Sequence, residues 1–182
     1  MADSLDELVP VMRDVVPLIR NRLADKYGID TEIGDAGTGR SREEWFASLQ
    51  RGATKATSFG KTWHAKKKPT DPPTAEGLVL SCAIDLWIAG TRSSVTGRPT
   101  SLNWNCKDFL PIGEAYESEG LISGCRFKNQ FDGPHGQGPH LARPGREHWA
   151  MSPSDLDDFC REEINLSRRL RGLAPLGRSA WV

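Results

Sequence analysis

The chain has 182 residues, with 24 basic and 24 acidic side chains, so its formal charge is zero. This balance gives no overall field that would attract nucleic acid or an acidic membrane surface, and no nucleic-acid partner is expected. Its four cysteines include no Cys-x-x-Cys pair, which argues against zinc-ribbon and thioredoxin-type motifs. The chain has no run of about 20 apolar residues, so no membrane span is expected. The stretch 1–7 is acidic, unlike the basic start of a secretory signal. We therefore expect one domain over 1–182, made in the cytoplasm without a signal peptide.

The N-terminal segment is predicted to be helical. Apolar residues recur at three- and four-residue steps over 4–27, which indicates an amphipathic helix, and Gly28 supplies its stop. Pro10 and Pro17 indicate that this helix begins late or is kinked, because proline removes a helical hydrogen-bond donor.

A second helix and the clearest strand follow. Ser41 and Glu44 form a capping-box pattern, so a short helix is expected over 42–51. The stretch 78–88 alternates with an apolar face, which predicts a strand. Asp85 lies on the opposite face of that strand among small residues, and a lone carboxylate in such a position suggests a specific role.

The remaining elements complete the predicted fold. They are a helix over 111–119, strands over 125–131 and 139–143, and a helix over 152–171 followed by a tail. Because helices and strands do not alternate regularly, an α+β fold is favoured over a doubly wound sheet.

The histidines are the main candidates for chemistry. Three of the four, His135, His140 and His148, lie close together in the sequence and near Asp132. A catalytic zinc ion needs only two histidines and a carboxylate, with one position left for water. His64 and Asp85 stand at predicted strands, and a third ligand from 132–140 would complete the set. A histidine-rich surface loop beside a buried, hydrogen-bonded aspartate is the simpler alternative.

Four short segments occur in an informative order: Gly39-Arg40-Ser41, Thr62-Trp63-His64, 81–86 and 124–140. This order resembles that of the VanY-type zinc D-alanyl-D-alanine carboxypeptidases and L-alanyl-D-glutamate endopeptidases, which include many phage endolysins. The resemblance covers about 35–146. It implies a small, mostly antiparallel sheet flanked by helices, of the Hedgehog/D-Ala-D-Ala peptidase type, with a zinc site on the sheet.

The resemblance also implies roles for individual residues. His64 and Asp85 correspond to zinc ligands of the family, and Asp132 corresponds to its general base. Arg40 and Ser41 correspond to the segment that faces the substrate, where a guanidinium suits a peptide carboxylate. His148 is expected to be an ordinary surface residue.

The third zinc ligand is open between two histidines. The Asp-x-x-His spacing from Asp132 favours His135, whereas the following Leu141 and the predicted strand over 139–143 favour His140. We prefer His140, because a ligand is held better on a strand than in a glycine-flanked loop. A further departure from the family is the long spacing between His64 and Asp85, which an exposed, lysine- and proline-rich loop over 65–77 would explain.

The expected activity is zinc-dependent hydrolysis of peptidoglycan stem peptides. The protein would then act on the cell wall after release or as part of a virion, with virion or lysis proteins as possible partners. The alternative is an inactive member of the same fold that serves as a virion structural protein or binds the cell wall.

Overall fold

The computed structural model describes residues 5–34, 37–52, 58–67, 77–90, 106–128, 131–141 and 143–178. Within these ranges the helices are α1 (Pro10–Tyr27), α2 (Arg42–Gln50), α3 (Cys106–Ser118), α4 (Arg146–Trp149) and α5 (Pro153–Leu170). The strands are β1 (Thr31–Ile33), β2 (Ala83–Ile88), β3 (Ile122–Ser123) and β4 (His135–Gln137). Short 3-10 turns cover Leu5–Glu7, Phe59–Lys61 and Gly124–Arg126. The predicted α+β class is confirmed.

One antiparallel sheet carries the strands in the order β1-β2-β4-β3. The central strand β2 is buried along nearly its whole length, so both of its faces are covered. Its register with β4 places Asp85 opposite His135. The sheet therefore brings a carboxylate and an imidazole from distant parts of the chain into adjacent positions.

Helix α3 packs against β3 and β4, and α1 contacts both α3 and α5. The buried face of α1 includes Val15, Ile19 and Leu23, in agreement with the predicted amphipathic pattern. The helix begins at Pro10, where its missing N–H costs no helical bond. It ends at Gly28, whose φ of 63° is the left-handed conformation that favours glycine.

Side-chain caps begin two of the helices, and the first of them is the predicted one. Ser41 and Glu44 form a reciprocal capping box at the start of α2, and the Ser152 hydroxyl accepts a hydrogen bond from the Asp155 N–H at the start of α5. Helix α3 begins at Cys106 rather than at 111, with Pro111 inside it. No helix in the described ranges is long and apolar enough to cross a membrane.

Three strand predictions are corrected by long-range pairing. The predicted strand over 78–88 is shorter, because Leu78 and Ser81 instead form isolated bridges with Lys66 and Leu8. In place of a strand over 125–131, the chain forms β3 just before the 3-10 turn, and residues 129–130 lie outside the described part.

The strand predicted over 139–143 is replaced by β4, which lies a few residues earlier. The Gly138 N–H still bonds to the Cys82 carbonyl, and the chain bends over 138–141. The predicted loop over 65–77 lies largely outside the described residues. Its first residue, Ala65, is buried, and it pairs with Arg40 rather than lying in solvent.

Candidate metal centre

Three separate segments bring His64, Asp85 and His135 together. Asp85 lies on β2, and His135 is the first residue of β4. His64 follows Trp63, whose carbonyl accepts a hydrogen bond from the Cys82 N–H near the start of β2. The position of each side chain is thus set by backbone pairing to the central strand.

The ligand-type atoms of these residues converge on one point. The His64 Nε2 lies 3.1 Å from the Asp85 Oδ1 and 3.0 Å from the His135 Nδ1. The His135 Nδ1 lies 3.2 Å from the same Asp85 oxygen. All three residues are buried. They form a buried His-Asp-His group that could hold a metal ion.

The outer nitrogen of His64 determines which of its ring nitrogens carries the proton. Its Nδ1 lies 2.9 Å from the Thr38 carbonyl oxygen, which can only accept a hydrogen bond. The proton of the neutral ring therefore lies on Nδ1. This leaves the lone pair of Nε2 directed at Asp85 and His135.

The outer nitrogen of His135 is held in a similar way by a side chain. Its Nε2 lies 3.1 Å from the Gln137 Oε1. The Gln137 amide nitrogen donates to the carbonyls of Pro139 and Leu141, so the amide oxygen must face His135. With both rings neutral, two nitrogen lone pairs and a carboxylate oxygen face one another, and this arrangement requires a shared positive partner.

The charges in the group agree with this interpretation. Burial would raise the pKa of Asp85, but His64, His135 and Arg40 hold that pKa well below its usual range. Burial lowers the pKa of His64, against the opposing effect of the Asp85 charge. Burial would also lower the pKa of His135, but the hydrogen bond to Asp85 and the charge of Asp132 raise it. A proton on His135 and a metal ion are therefore alternative positive partners for Asp85.

Arg40 lies beside this group and contacts one of its members. Its Nη2 donates to the Asp85 Oδ2 at 3.1 Å, the carboxylate oxygen that does not face the histidines. Its backbone bridges Ala65, and its N–H donates to the His64 carbonyl at 2.7 Å. Arg40 thus helps to orient two of the three residues.

Ser41, the other residue that the resemblance links to substrate binding, is the N-cap of α2. Its hydroxyl accepts the hydrogen bond of the Glu44 N–H at 3.2 Å and caps α2. Its own N–H donates to the Glu44 carboxylate at 2.7 Å. The structure therefore brings Arg40 to the His64–Asp85–His135 group, whereas it places the Ser41 side chain in the helix cap.

Asp132 lies in the turn that leads into β4. Its carbonyl accepts from the His135 N–H at 3.2 Å. Burial and the Asp85 charge raise the pKa of its carboxyl group, while His135 acts in the opposite direction. This carboxyl group therefore holds a proton more readily than an ordinary aspartate.

Tyr116 holds the Asp132–His135 turn against the sheet, a role that sequence patterns did not indicate. Its buried hydroxyl donates to the Pro134 carbonyl at 2.7 Å and accepts from the Leu86 N–H at 3.0 Å. Its ring also lies over Gly136, where an added Cβ would come within 2.5 Å of a ring carbon. Glycine at 136 thus allows the ring to approach β4 closely.

The other two histidines lie outside the group. His140 is exposed, and its backbone N–H donates to the Glu163 carboxylate at 3.0 Å. The strand predicted over 139–143, which favoured His140, is replaced by β4, and β4 contains His135. The structure therefore brings His135 and not His140 to His64 and Asp85. The expectation that His148 is a surface residue is wrong: it is 4% exposed, and its ring packs against Trp63 and Phe159.

No protein-family model and no curated protein matches this chain. The geometry of the group itself therefore carries the functional argument.

Proposed function

We propose that this protein is a zinc-dependent peptidase that hydrolyses peptidoglycan stem peptides. The observation that carries the proposal is the convergence of His64 Nε2, Asp85 Oδ1 and His135 Nδ1 within 3.0–3.2 Å of one another. In tetrahedral zinc sites with bonds of about 2.0–2.1 Å, ligand atoms lie about 3.3 Å apart. The observed spacing is close to this value, and three protein ligands leave one coordination position for chemistry.

Two further residues favour hydrolysis over other uses of a two-histidine, one-carboxylate set, which also serves non-haem iron. Burial and the charge of Asp85 raise the pKa of the Asp132 carboxyl group, which suits proton transfer near neutral pH. Arg40 supplies a guanidinium beside the ligand carboxylate. The peptidoglycan assignment rests on the resemblance of the four sequence segments to the VanY-type peptidases.

The roles of the protein side chains in the proposed reaction follow from their positions. A bound zinc ion would supply a Lewis acid for the peptide carbonyl and would make water more acidic. Asp132 accepts the proton of the attacking water and returns it to the leaving amine, a task suited to a carboxyl group with a raised pKa. Arg40 keeps Asp85 oriented through Oδ2 and offers positive charge to a substrate carboxylate.

The protein would meet this substrate after release from the cytoplasm or as part of a virion, with virion or lysis proteins as partners. An inactive protein with the same fold, which binds the cell wall or has a structural role in a virion, is the competing proposal. It predicts zinc binding without turnover, so the two proposals differ in a measurable result.

The test combines zinc content with product analysis. Zinc-reconstituted protein is incubated with purified peptidoglycan, and the released fragments are identified by mass spectrometry, which also shows the bond that is cut. Asp132→Asn should retain stoichiometric zinc but lose about 10²–10⁴-fold in kcat, the usual contribution of a general base. Asp25→Asn, on the exposed side of α1, is the matched control and should retain full activity.

The possible results separate the proposals. Absence of stoichiometric zinc in the reconstituted wild type would contradict the metal centre itself. Stoichiometric zinc without fragment release would favour the inactive wall-binding protein. Full activity of Asp132→Asn would remove Asp132 from the mechanism.

A further inference from the structure

Gln137 is a buried polar residue that takes no part in the proposed reaction. It lies on β4 two residues after His135, so the two side chains share one face of the strand. It is 2% exposed and stands opposite Ala83 of β2 and Ile122 of β3. A buried amide in the middle of a sheet must have its hydrogen bonds satisfied, and the identity of its partners indicates its role.

The segment after β4 fixes the orientation of this amide. The Gln137 Nε2 donates to the Pro139 carbonyl at 2.7 Å and to the Leu141 carbonyl at 2.9 Å. The Leu141 carbonyl also accepts from the Trp63 indole N–H at 2.8 Å, which ties it to the residue preceding His64. A rotated amide would place its oxygen against two carbonyl oxygens, so only one orientation satisfies all the groups.

This orientation selects one form of His135. The Gln137 Oε1, 3.1 Å from the His135 Nε2, can only accept, and the ring proton is therefore stabilised on Nε2. The lone pair of Nδ1 is then left for the centre. With the opposite amide orientation, the NH2 group would face Nε2 and favour a proton on Nδ1, which would compete with metal binding.

We infer that Gln137 is a positioning residue of the proposed metal centre: its carbonyl oxygen holds the His135 ring so that Nδ1 faces His64 and Asp85. The inference rests on the proposed metal-binding function. It also gives the segment 138–141 a role, because this segment supplies the carbonyls that orient Gln137. Partners of this kind typically change metal affinity by about 10–100-fold.

Two substitutions at the same position separate the acceptor role from a general packing role. Gln137→Met removes the acceptor at similar size, whereas Gln137→Glu keeps an oxygen acceptor for His135 but has no amide to donate. Zinc affinity is measured by competition with a chelator, and thermal unfolding of the metal-free proteins is measured alongside. Gln137→Met should bind zinc about 10–100-fold more weakly. Gln137→Glu should recover only part of that loss, because its second oxygen faces the Pro139 and Leu141 carbonyls.

Asn165 provides the matched control. Its amide is also buried and bonds on both sides to the backbone of Leu176. Asn165→Leu should lower the unfolding temperature while leaving zinc affinity unchanged. Equal losses of zinc affinity in Gln137→Met and Gln137→Glu, or none in Gln137→Met, would overturn the inference while leaving the proposed function intact.

A measurement on the wild type keeps the test valid if a Gln137 variant does not fold. In protein loaded with ¹¹³Cd and labelled with ¹⁵N, coupling should join the metal to Nδ1 of His135, and the Nε2 proton should exchange slowly. Coupling to Nε2 would overturn the inference alone. Failure of the wild type to bind any metal would overturn both the inference and the proposed function.

Discussion

The His64–Asp85–His135 group and the ion cluster of Arg22, Glu119 and Arg168 each surround a buried carboxylate, but their contacts are arranged in opposite ways. In the ion cluster, one carboxylate oxygen of Glu119 accepts from the Arg22 Nη2 at 2.7 Å. The other accepts from the Arg168 Nη1 at 2.6 Å. Each acceptor faces a donor, so the cluster is complete within the chain and links α1, the end of α3 and α5.

In the His64–Asp85–His135 group the acceptors face one another instead. The proton-bearing nitrogens of His64 and His135 point outward to Thr38 and Gln137, and the lone pairs point inward to Asp85. Buried charge by itself therefore does not mark a functional site in this protein. The direction of the donors and acceptors distinguishes a structural tie from a site that could hold a cation.

The largest expected effect comes from removing one inward-facing acceptor. His135→Ala should weaken zinc binding by about 4 kcal/mol, roughly 1,000-fold, because sites with four ligands are worth about 10–16 kcal/mol in total. His140→Ala should leave zinc affinity unchanged, since His140 is exposed and outside the group. Chelator competition measures both. A greater loss in His140→Ala than in His135→Ala would reverse our assignment of the third ligand.

The sequence was informative where a residue and its partners lie close together in the chain. The Ser41–Glu44 capping box and the end of α1 at Gly28 follow from local hydrogen bonding, and both are present. Asp85 was also recognisable, because a carboxylate among small apolar residues on a strand is unusual. His64 and Asp85 are indeed brought together.

The third member of the group depends on contacts that no local pattern encodes. Strand β4 has three residues, which is too short for an alternating pattern, and its position is set by pairing with β2. A preference for His140 from strand context therefore had no firm basis. The role of Thr38 has no sequence signal, since a backbone oxygen leaves no trace in composition. The role of Gln137 likewise depends on the backbone carbonyls of Pro139 and Leu141, which orient its amide. The alternation of His135 and Gln137 was the one available sign.

An intermediate effect is expected from breaking the ion cluster. Glu119→Ala leaves the Arg168 guanidinium, 10% exposed, without its carboxylate, and should lower the free energy of unfolding by about 3 kcal/mol. Zinc affinity of the folded variant should be unchanged. Glu117→Ala is the matched control, because the partner of Glu117, Arg126, is 63% exposed and such pairs contribute about 0–1 kcal/mol.

Urea unfolding of the metal-free proteins measures these stability differences, and chelator competition measures zinc binding. A variant Glu119→Ala as stable as Glu117→Ala would mean that the cluster is not a tie between helices. A loss of zinc affinity in folded Glu119→Ala would contradict the expectation that the ion cluster and the His64–Asp85–His135 group are independent.

The smallest expected effect concerns Glu7. Its carboxylate oxygens face hydrogen-bond donors, as in the ion cluster, although one of these donors belongs to Thr38, the partner of His64. It forms an ion pair with Lys66, and its Oε2 accepts from the Thr38 hydroxyl at 2.6 Å and the Gly39 N–H at 3.1 Å. These bonds hold the loop whose Thr38 carbonyl orients His64. Glu7→Gln removes the charge but keeps the size, and should cost about 1 kcal/mol of stability at neutral pH.

The pH dependence of this difference identifies its cause. Burial alone would raise the pKa of Glu7, but hydrogen bonds from Lys66 and Thr38 hold it below the ordinary value of 4.5. A lowered pKa in the folded state stabilises the protein above the unfolded-state value, and this stabilisation is lost as the pH falls through the folded-state value. The stability difference between wild type and Glu7→Gln, measured by urea unfolding, should therefore be constant near neutral pH and shrink below about pH 4.5. A difference that persists in acid would mean that Glu7 acts through its shape rather than its charge.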